Sequence, residues 1–392
     1  MAATDLARPL GWLAAAALAV PGVMPRPAAA EEAPDKGLVA LKYLHYEDGQ
    51  SVQTQYPFYE GHEPSTFRRI QVDSPSALLS VPLGRRWLVD ASAVVDEVSG
   101  ATPRYYSDIS GASRMSDRRV AGDLKVTHFE DRSALAVGVA HSGENDYVSN
   151  ALSVEGRWST EDNNTTLTAA VGLSSDTIEP TDGGVLGIEQ EHKRSIELLM
   201  GLTRAVSRND LVQMTLTMSF GRGYFSDPYK QFDNRPRSRN SGIYQLRWNH
   251  HVPYWGATLR TGYRYYYDTF GIGAHTLEAQ WVQPLAGGFK LTPLLRYHTQ
   301  SSASFYHDPV TDIEVYPGLP FEAKYSTDDQ RLSAFGAVTA GLKAEVNWGP
   351  WTADAKVERY EQRSQWRLGG QGSLGIDPFH ATIVQVGVAY SF

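Results

Sequence analysis

The chain has no cysteine, no surplus of basic residues and no long apolar run. Without cysteine, its 392 residues can form no disulfide, thiolate metal site, catalytic thiolate or lipid-modified N-terminal cysteine. Lys and Arg total 36 against 44 Asp and Glu, a formal net charge of -8, which argues against a nucleic-acid partner. No apolar stretch approaches the roughly 18 residues of a membrane-spanning helix. If the protein lies in a membrane, it must therefore span it as strands.

Sequence motifs of the common enzyme classes are also missing. The chain contains no phosphate-binding loop, no Gly-x-Ser-x-Gly elbow and no His-Glu-x-x-His helix. His141 and Ser142 are adjacent, near Asn145 and Asn150, and these residue types could support hydrolysis. Adjacent strand residues face opposite sides, however, so His141 could not activate Ser142. We predict that the protein is not an enzyme and uses no cofactor.

The N-terminus has the features of a secretory signal peptide. An apolar core runs over Leu10–Val20, and Ala28-Ala29-Ala30 offers a site for signal peptidase. We predict a signal peptide over residues 1–30, a short disordered periplasmic lead over residues 31–37, and a single barrel domain over residues 38–392.

The last segment of the chain alternates between two kinds of residue. Counting back in steps of two from Phe392 gives Tyr390 and then three valines, whereas the other parity is mostly small or polar. This is the pattern of a strand with one apolar face. A final strand of this kind that ends on an aromatic residue resembles the C-terminal signal of bacterial outer-membrane barrels, here Tyr390 and Phe392. An edge strand of a soluble sheet is the alternative.

Alternating segments of this kind repeat along the whole chain, and their connections alternate in length. Short turns fall near residues 84, 131, 162, 209, 252, 287 and 349, and mostly longer connections lie between them. Short periplasmic turns and longer outer loops are typical of outer-membrane barrels. We predict an all-β, antiparallel up-and-down transmembrane barrel of about 16 strands in the outer membrane of a Gram-negative bacterium, with both termini periplasmic. The first strand is predicted over Leu38–Tyr46, and an even strand count requires it.

One segment breaks the alternation. Between Arg69 and Leu83 the apolar residues change parity, from Ile70 and Val72 to Leu79. A β-bulge at Ser74-Pro75 would explain this shift and would also tolerate the proline.

The inward face of such a barrel would carry charges of both signs in nearly equal number. They could form a cross-strand salt-bridge lattice that stiffens the wall, and also a transverse field that screens small polar solutes. The two interpretations are compatible. The residues predicted to line the lumen are Asp90, Asp96, Lys125, Glu155, Arg157, Arg247, Arg260, Arg264, Glu278, Lys290, Arg296, Lys343, Glu345, Lys356 and Glu358.

The long connection Ser99–Arg118 is a candidate for a loop that folds inward and narrows the lumen. It is rich in glycine and serine, and charged groups can enter a wet lumen at little cost. Its charged residues are Arg104, Asp108, Arg114, Asp117 and Arg118.

Four short runs within residues 98–149 carry a resemblance to a known family. They are Ser99-Gly100-Ala101-Thr102-Pro103, Met115-Ser116-Asp117-x-Arg119, Asp123-x-Lys125 and Ser142-x-Glu144-x-Asp146-Tyr147. The sequence resembles the bacterial domain-of-unknown-function 3570 family, which implies an outer-membrane barrel of unestablished biochemical role. The resemblance also implies, loosely, neighbours in extracytosolic redox systems. At the tight turn, Glu144 and Asp146 either cap backbone amides, the favoured interpretation, or bind a ligand.

Two functions follow as hypotheses. The first is a porin-like channel for small hydrophilic solutes. The second is a structural barrel that seats a periplasmic or lipoprotein component of a redox system. In either case the expected partners are the lipid bilayer and the barrel-assembly machinery, and the sequence leaves the oligomeric state open.

Overall fold

The computed structural model describes residues 32–52, 65–100, 115–184, 186–230, 233–308 and 323–392. Sixteen strands form one closed antiparallel barrel, in which each strand pairs with its sequence neighbours and β1 pairs with β16. The predicted up-and-down barrel of about 16 strands is confirmed. The strands are β1 (Leu38–Val52), β2 (Ser65–Leu83), β3 (Trp87–Gly100), β4 (Met115–Glu130), β5 (Ser133–Gly143), β6 (Tyr147–Ser159), β7 (Thr165–Ile178), β8 (Glu191–Ala205), β9 (Asp210–Gly223), β10 (Ser238–Val252), β11 (Ala257–Asp268), β12 (Gly273–Pro284), β13 (Phe289–Gln300), β14 (Phe335–Trp348), β15 (Trp351–Arg363) and β16 (Phe379–Ser391).

The barrel closes through its first strand. The register of β1 against β16 runs from Leu38 opposite Ser391 to Gln50 opposite Phe379. The predicted first strand is therefore present, and it extends beyond Tyr46 to Val52. Closure removes the sheet edges, so the backbone ladder is complete within the wall.

One end of the barrel has only short connections, and the other end has all the long ones together with the short turns after β5 and β11. The short-turn end carries the connections after β2, β4, β6, β8, β10, β12 and β14, together with the start of β1 and the end of β16. The other connections lie at the long-loop end. Helical structure in the described residues is limited to 3₁₀ turns at Thr181–Gly183, Ala286–Gly288, Gln330–Leu332 and Ser364–Trp366. No helix in these residues has the length and apolar character needed to cross a membrane.

The predicted bulge at Ser74-Pro75 is wrong. The pairing of β2 with β3 keeps one register from Ile70 to Leu83, and the shift in β2 instead faces Glu47 and Gly49 of β1. Ile70 and Val72 are buried in an apolar cluster near the long-loop end. Leu79, by contrast, is exposed on the outer face. The change of parity therefore has another cause. At the long-loop end the apolar residues of β2 face the inside of the barrel, whereas further along the strand they face outward.

Residues 32–37 make specific contacts, although we expected them to be disordered. The Ala33 amide donates to Arg85 O (3.3 Å), and Ala33 packs with Phe129 and Ala134. The Gly37 amide donates to Phe392 O (2.9 Å). These contacts tie the lead to the short-turn end. The predicted signal peptide, residues 1–30, lies outside the described residues.

The outer face of the barrel is apolar, with tryptophans at one end. Trp87, Trp158, Trp255, Trp348 and Trp351 are all exposed near the short-turn end. Amphipathic indole rings favour the interface between lipid and water. An exposed apolar wall with such a girdle is what a barrel presents to a bilayer.

Candidate functional site

The two faces of each strand differ in charge. One parity carries exposed apolar residues, such as Leu41 at 56%, Met200 at 60% and Leu295 at 58% exposure. The other parity points into the closed barrel. Every charged residue predicted to line the lumen has this inward parity, although its function in a pore stays a prediction. These residues are Asp90, Asp96, Lys125, Glu155, Arg157, Arg247, Arg260, Arg264, Glu278, Lys290, Arg296, Lys343, Glu345, Lys356 and Glu358.

Most of these residues meet as ion pairs. Between strands, Lys290 Nζ lies 2.8 Å from Glu345 Oε1, and Arg296 Nη2 lies 2.6 Å from Glu278 Oε2. Along β14, Lys343 Nζ lies 2.9 Å from Glu345 Oε2. Such pairs are the lattice that one interpretation of the sequence describes. Further pairs are Lys356–Glu358, Arg157–Glu155, Lys125–Asp90 and Arg119–Asp96.

Three arginines on β10 and β11 form what we call the arginine strip: Arg247, Arg260 and Arg264. Among the residues that the structure describes, neither Arg247 nor Arg264 has a carboxylate within salt-bridge distance. Arg264 Nε is buried there without a hydrogen-bond partner, and its guanidinium lies 5.8 Å from the centre of the Tyr266 ring. A buried donor without a partner is costly, so Arg264 is suited to accept an anionic ligand. The Arg247 guanidinium lies within hydrogen-bond distance of the Gln245 side-chain amide (3.1 Å).

An acidic strip faces the arginine strip across the lumen. In a ring of sixteen strands, β3 lies diametrically opposite β11. The acidic strip consists of Asp90 and Asp96 on β3 and Asp123 on β4. Asp90 accepts a hydrogen bond from Ser80 Oγ (2.6 Å), and Asp123 accepts one from Ser92. Asp90 and Asp96 are paired with Lys125 and Arg119 of β4, whereas Arg247 and Arg264 lack carboxylate partners among the described residues. The two sides of the wall therefore differ in how far their charges are paired.

Two connections at the long-loop end fold over the inward face, and we call them the mouth loops. They comprise residues 224–237 and 301–334, of which the structure describes 224–230, 233–237, 301–308 and 323–334. Phe305 and Leu332 of the second loop pack in one buried cluster with Ile243 and Phe270. Since Ile243 has the inward parity, this packing narrows the barrel at that end.

Backbone hydrogen bonds join the mouth loops to each other. Asn234 and Ser326 exchange two bonds, with N···O distances of 2.9 and 3.0 Å. Within the second loop, the His307 amide donates to Thr327 O (2.9 Å) and holds its two described parts together. The two loops therefore behave as one small structural unit.

A buried carboxylate, Asp329, forms the centre of this unit. It is 1% exposed, and its Oδ2 lies 2.7 Å from Arg235 Nη2 and 3.1 Å from Lys230 Nζ. Arg331 pairs with the same carboxylate and lies 3.4 Å from Asp227. Asp329 is buried, yet the three cations hold the pKa of its carboxyl well below the usual range.

Asp328, the neighbouring residue, behaves in the opposite way. Burial raises the pKa of its carboxyl to about 6, and the charges of Asp329 and Asp233 add to the effect, although Lys230 opposes it. The usual pKa of an aspartate in an unfolded chain is about 3.9. At pH values between about 3.9 and about 6, Asp328 is therefore protonated more often when the mouth loops are packed closed than when they are open. Closure of the mouth loops should therefore strengthen as the pH falls through this window.

We expect the exchange protection of residues 323–334 to rise about tenfold from pH 7 to pH 5, because protonation of Asp328 removes a buried charge. The measurement is amide hydrogen exchange corrected for the intrinsic effect of pH. Asp328→Asn should remove this increase while it leaves the protection of the barrel strands unchanged. A protection factor that is the same at both pH values in the native protein would contradict the expectation.

A second buried ionic cluster was not predicted from the sequence. The Tyr147 and Ser149 hydroxyls donate to the two oxygens of Asp176, at 2.5 and 2.6 Å. Lys193 Nζ lies 2.9 Å from Asp176 Oδ2 and donates to Tyr147 Oη (2.8 Å). The cluster joins β6, β7 and β8. The sequence indicates this cluster only through the inward parity of its residues. That parity can be assigned only when the bounds of the three strands are known.

The predicted constriction loop, Ser99–Arg118, is corrected at both ends, because Ser99 and Gly100 belong to β3 and the residues from Met115 belong to β4. Its middle lies outside the described residues. Asp117 and Arg118 belong to β4, where they pair with Val98 and Glu97. The start of β4 is polar on both faces, which concealed the strand in the sequence. Arg104, Asp108 and Arg114 fall in residues 101–114, outside the described part of the chain.

His141 and Ser142 point to opposite sides of the wall, as predicted. His141 is exposed and contacts Asn150 (Nδ1 to Oδ1, 2.9 Å), whereas Ser142 is buried. Gly143, not a nucleophile, occupies the next position on the face of His141. The arrangement therefore provides no activated serine at this histidine.

The aromatic end of the chain lies at the short-turn end. The Tyr390 ring is 4.7 Å from the Trp351 ring and stacks at 6.5 Å on Phe392. Phe392 and Gly37 exchange backbone hydrogen bonds. The role of Tyr390 and Phe392 as an assembly signal stays a prediction.

One group of carboxylates has the spacing to hold a metal ion. Asp117 of β4 meets Glu144 and Asp146 of the turn between β5 and β6, with ligand oxygens within 4.8 Å of one another. Two of the sequence runs that carry the family resemblance therefore come together at the long-loop end.

Comparison with solved structures gives matches of low identity, all with TM-scores below 0.5. A FadL homologue of Pseudomonas aeruginosa is 12% identical, with 91% of this chain and 90% of that chain covered and a TM-score of 0.47. The outer membrane protein OpdK of the same species is 10% identical, with 91% and 99% covered and a TM-score of 0.42. CdiB of Acinetobacter baumannii is 8% identical, with 90% and 60% covered and a TM-score of 0.48.

Sequence comparison identifies the family of the chain. No curated protein matches the sequence. The closed barrel with its apolar outer belt has the architecture of an outer-membrane β-barrel protein. The model of the family described as protein of unknown function (DUF3570) matches residues 10–113 and 107–383, so the chain belongs to that family.

Proposed function

We propose that the protein is a porin-like channel for small hydrophilic solutes, with its short-turn end and both termini in the periplasm. The observation that carries this proposal is the arginine strip, in which two inward arginines lack carboxylate partners among the described residues, whereas Asp90 and Asp96 on the opposite side are paired with cations. A wall that served only as a scaffold would have no need for Arg247 and Arg264 to lack carboxylate partners among the described residues.

The strips would act on a passing solute through their field. Charged walls of low dielectric focus field lines across a narrow aqueous space. At about 0.1 M salt the Debye length is about 10 Å, so the charges of a narrow lumen are only partly screened from one another. A solute that carries a carboxylate or phosphate would be held on the arginine side, where guanidinium groups can bind it through two hydrogen bonds.

A second candidate is a barrel that seats a periplasmic or lipoprotein partner. The observation in its favour is the packing of the mouth loops over the inward face, which narrows the long-loop end. In this case the lumen would contribute little flux, and the short-turn end would be the docking side.

Solute flux through purified protein distinguishes the two functions. We expect liposomes that contain the refolded barrel to take up a small anionic solute several-fold faster than a neutral sugar of the same size, because the arginine strip attracts the anion. The measurement is isosmotic swelling followed by light scattering. Empty liposomes give the background, and uptake no faster than this background would favour the partner-seating function.

A further inference from the structure

Three carboxylates from two segments converge at the long-loop end. Asp117 lies near the start of β4, and Glu144 and Asp146 lie in the turn that joins β5 to β6. One oxygen of each residue lies within 4.8 Å of the others. Like charges this close repel each other, so the arrangement needs compensation when all three are ionised.

Asp146 supplies a second and independent observation. Its side chain is only 6% exposed, and its Oδ2 accepts a hydrogen bond from the Tyr229 hydroxyl (2.8 Å). The other oxygen, Oδ1, is buried without a hydrogen-bond partner among the described residues. A buried anionic oxygen in this state lacks a cation or a donor.

Two backbone amides close to the carboxylates donate elsewhere. The Glu144 amide donates to Tyr147 O (2.8 Å), and the Glu179 amide donates to Asp146 O (2.9 Å). These two amides are therefore satisfied by carbonyl oxygens and not by the carboxylates. Capping of these two amides, which is part of the interpretation that the sequence favoured, therefore does not account for the burial of Asp146.

We propose that Asp117, Glu144 and Asp146 bind a hard divalent cation, with calcium as the ion that fits best. The donor set consists only of carboxylate oxygens, which suits Ca²⁺ better than the nitrogen and sulfur ligands that select zinc. Calcium takes its oxygen ligands at about 2.3–2.6 Å, so oxygens on one ion can lie up to about 5 Å apart. Water molecules would complete the coordination shell.

The bound cation would also stabilise one mouth loop. Tyr229 belongs to the loop after β9, and its hydroxyl both donates to Asp146 and accepts from the Thr181 amide (2.9 Å). A cation bound to the Asp146 carboxylate would hold that carboxylate in place. The Tyr229 hydroxyl donates to the same carboxylate, so the loop that carries Tyr229 would be held in place as well. We expect calcium to slow amide exchange in residues 224–230.

Calcium titration of the full barrel tests the proposal. The detergent-purified protein is stripped with EDTA and titrated with CaCl₂ alone by calorimetry. We expect one site with a dissociation constant near 0.1–1 mM, which is typical of extracellular calcium modules. Asp146→Asn should weaken binding about tenfold or more and should abolish the effect of calcium on exchange in residues 224–230.

Matched variants keep the test decisive. Asp131→Asn removes an exposed carboxylate from the short turn after β4, and it should leave calcium binding unchanged. Folding of each variant is judged by heat-modifiable gel mobility. If the Asp146 variant does not fold, Asp117→Asn removes a different carboxylate from the same site. Absence of binding by the native barrel at 10-fold the expected constant would overturn the proposal. Calcium binding that is unchanged in both Asp146→Asn and Asp117→Asn would also overturn the proposal.

Discussion

Replacing Asp329 with alanine is expected to detach both mouth loops from the inward wall, at a cost of about 3–5 kcal/mol in the free energy of loop closure. The carboxylate contacts Arg235, Lys230 and Arg331, and it also caps the 3₁₀ turn through the Arg331 amide (3.0 Å). Its removal would leave a buried excess of positive charge. Asp227 and Asp233 would remain as partners, but three cations would then share two carboxylates.

The loss of this ionic network should increase the fraction of molecules in which the mouth loops are open. A change of about 3 kcal/mol corresponds to about a hundredfold change in the open population. Amide exchange in residues 233–237 and 323–334 should therefore accelerate by about this factor, while exchange in the sixteen strands stays unchanged. Asp329→Asn preserves the shape of the side chain without its charge, so it should show the electrostatic part of the loss alone.

Asp131→Ala is the matched control for this prediction. It removes an exposed aspartate at the opposite end of the barrel, so it changes the net charge equally without touching the mouth loops. If Asp329→Ala and Asp131→Ala gave the same exchange rates in the loops, the ionic network would not be what holds them.

Neutralising the arginine strip should have the largest effect on ion selectivity. We expect the native channel to prefer anions at low salt and the double variant Arg247→Gln/Arg264→Gln to lose this preference. A unit charge at about 4 Å contributes about 1 kcal/mol in water, so each arginine is worth up to about fivefold in relative permeability. The measurement is the reversal potential in a salt gradient across a planar bilayer.

Two comparisons show whether this change arises inside the lumen. Arg208→Gln removes an exposed arginine from the short turn after β8 and should leave the reversal potential unchanged. In 1 M salt the Debye length falls to about 3 Å, so the difference between native and double variant should shrink. Equal selectivity of the native channel and the double variant at low salt would show that the strip does not act on permeating ions.

The strand pattern could be read from the sequence because a barrel wall has two distinct faces. Along β9, Val212, Met214, Leu216 and Phe220 alternate with polar residues, and the structure places them on the outer face. The same rule identified β16 from its valines and its aromatic end. Where lipid faces one side and the lumen the other, a period of two is the unavoidable result.

The strand ends could not be read in this way. β4 begins at Met115, although its first residues are polar on both faces, and β1 continues to Val52. Beyond the apolar belt both faces of a strand can meet water or the loops, so alternation no longer marks the strand. The loss of this signal explains why Asp117 and Arg118 were assigned to a loop.

The contacts that shape the long-loop end could not be predicted from the sequence for another reason. Arg235 and Asp329 are 94 positions apart in the chain, and neither has a local motif. Asp117 and Asp146 belong to separate segments that meet only because β4 and β5 pair. Such contacts depend on the register of the closed barrel, which a single sequence constrains only strand by strand.

Single-channel recording of the refolded native barrel in a planar bilayer tests the central claim, that this barrel conducts solutes. We expect discrete, ohmic current steps, and larger steps from Asp329→Ala because its mouth loops are released. A correctly folded barrel that remains silent in both forms would contradict the channel, and it would leave the partner-seating barrel as the function to pursue.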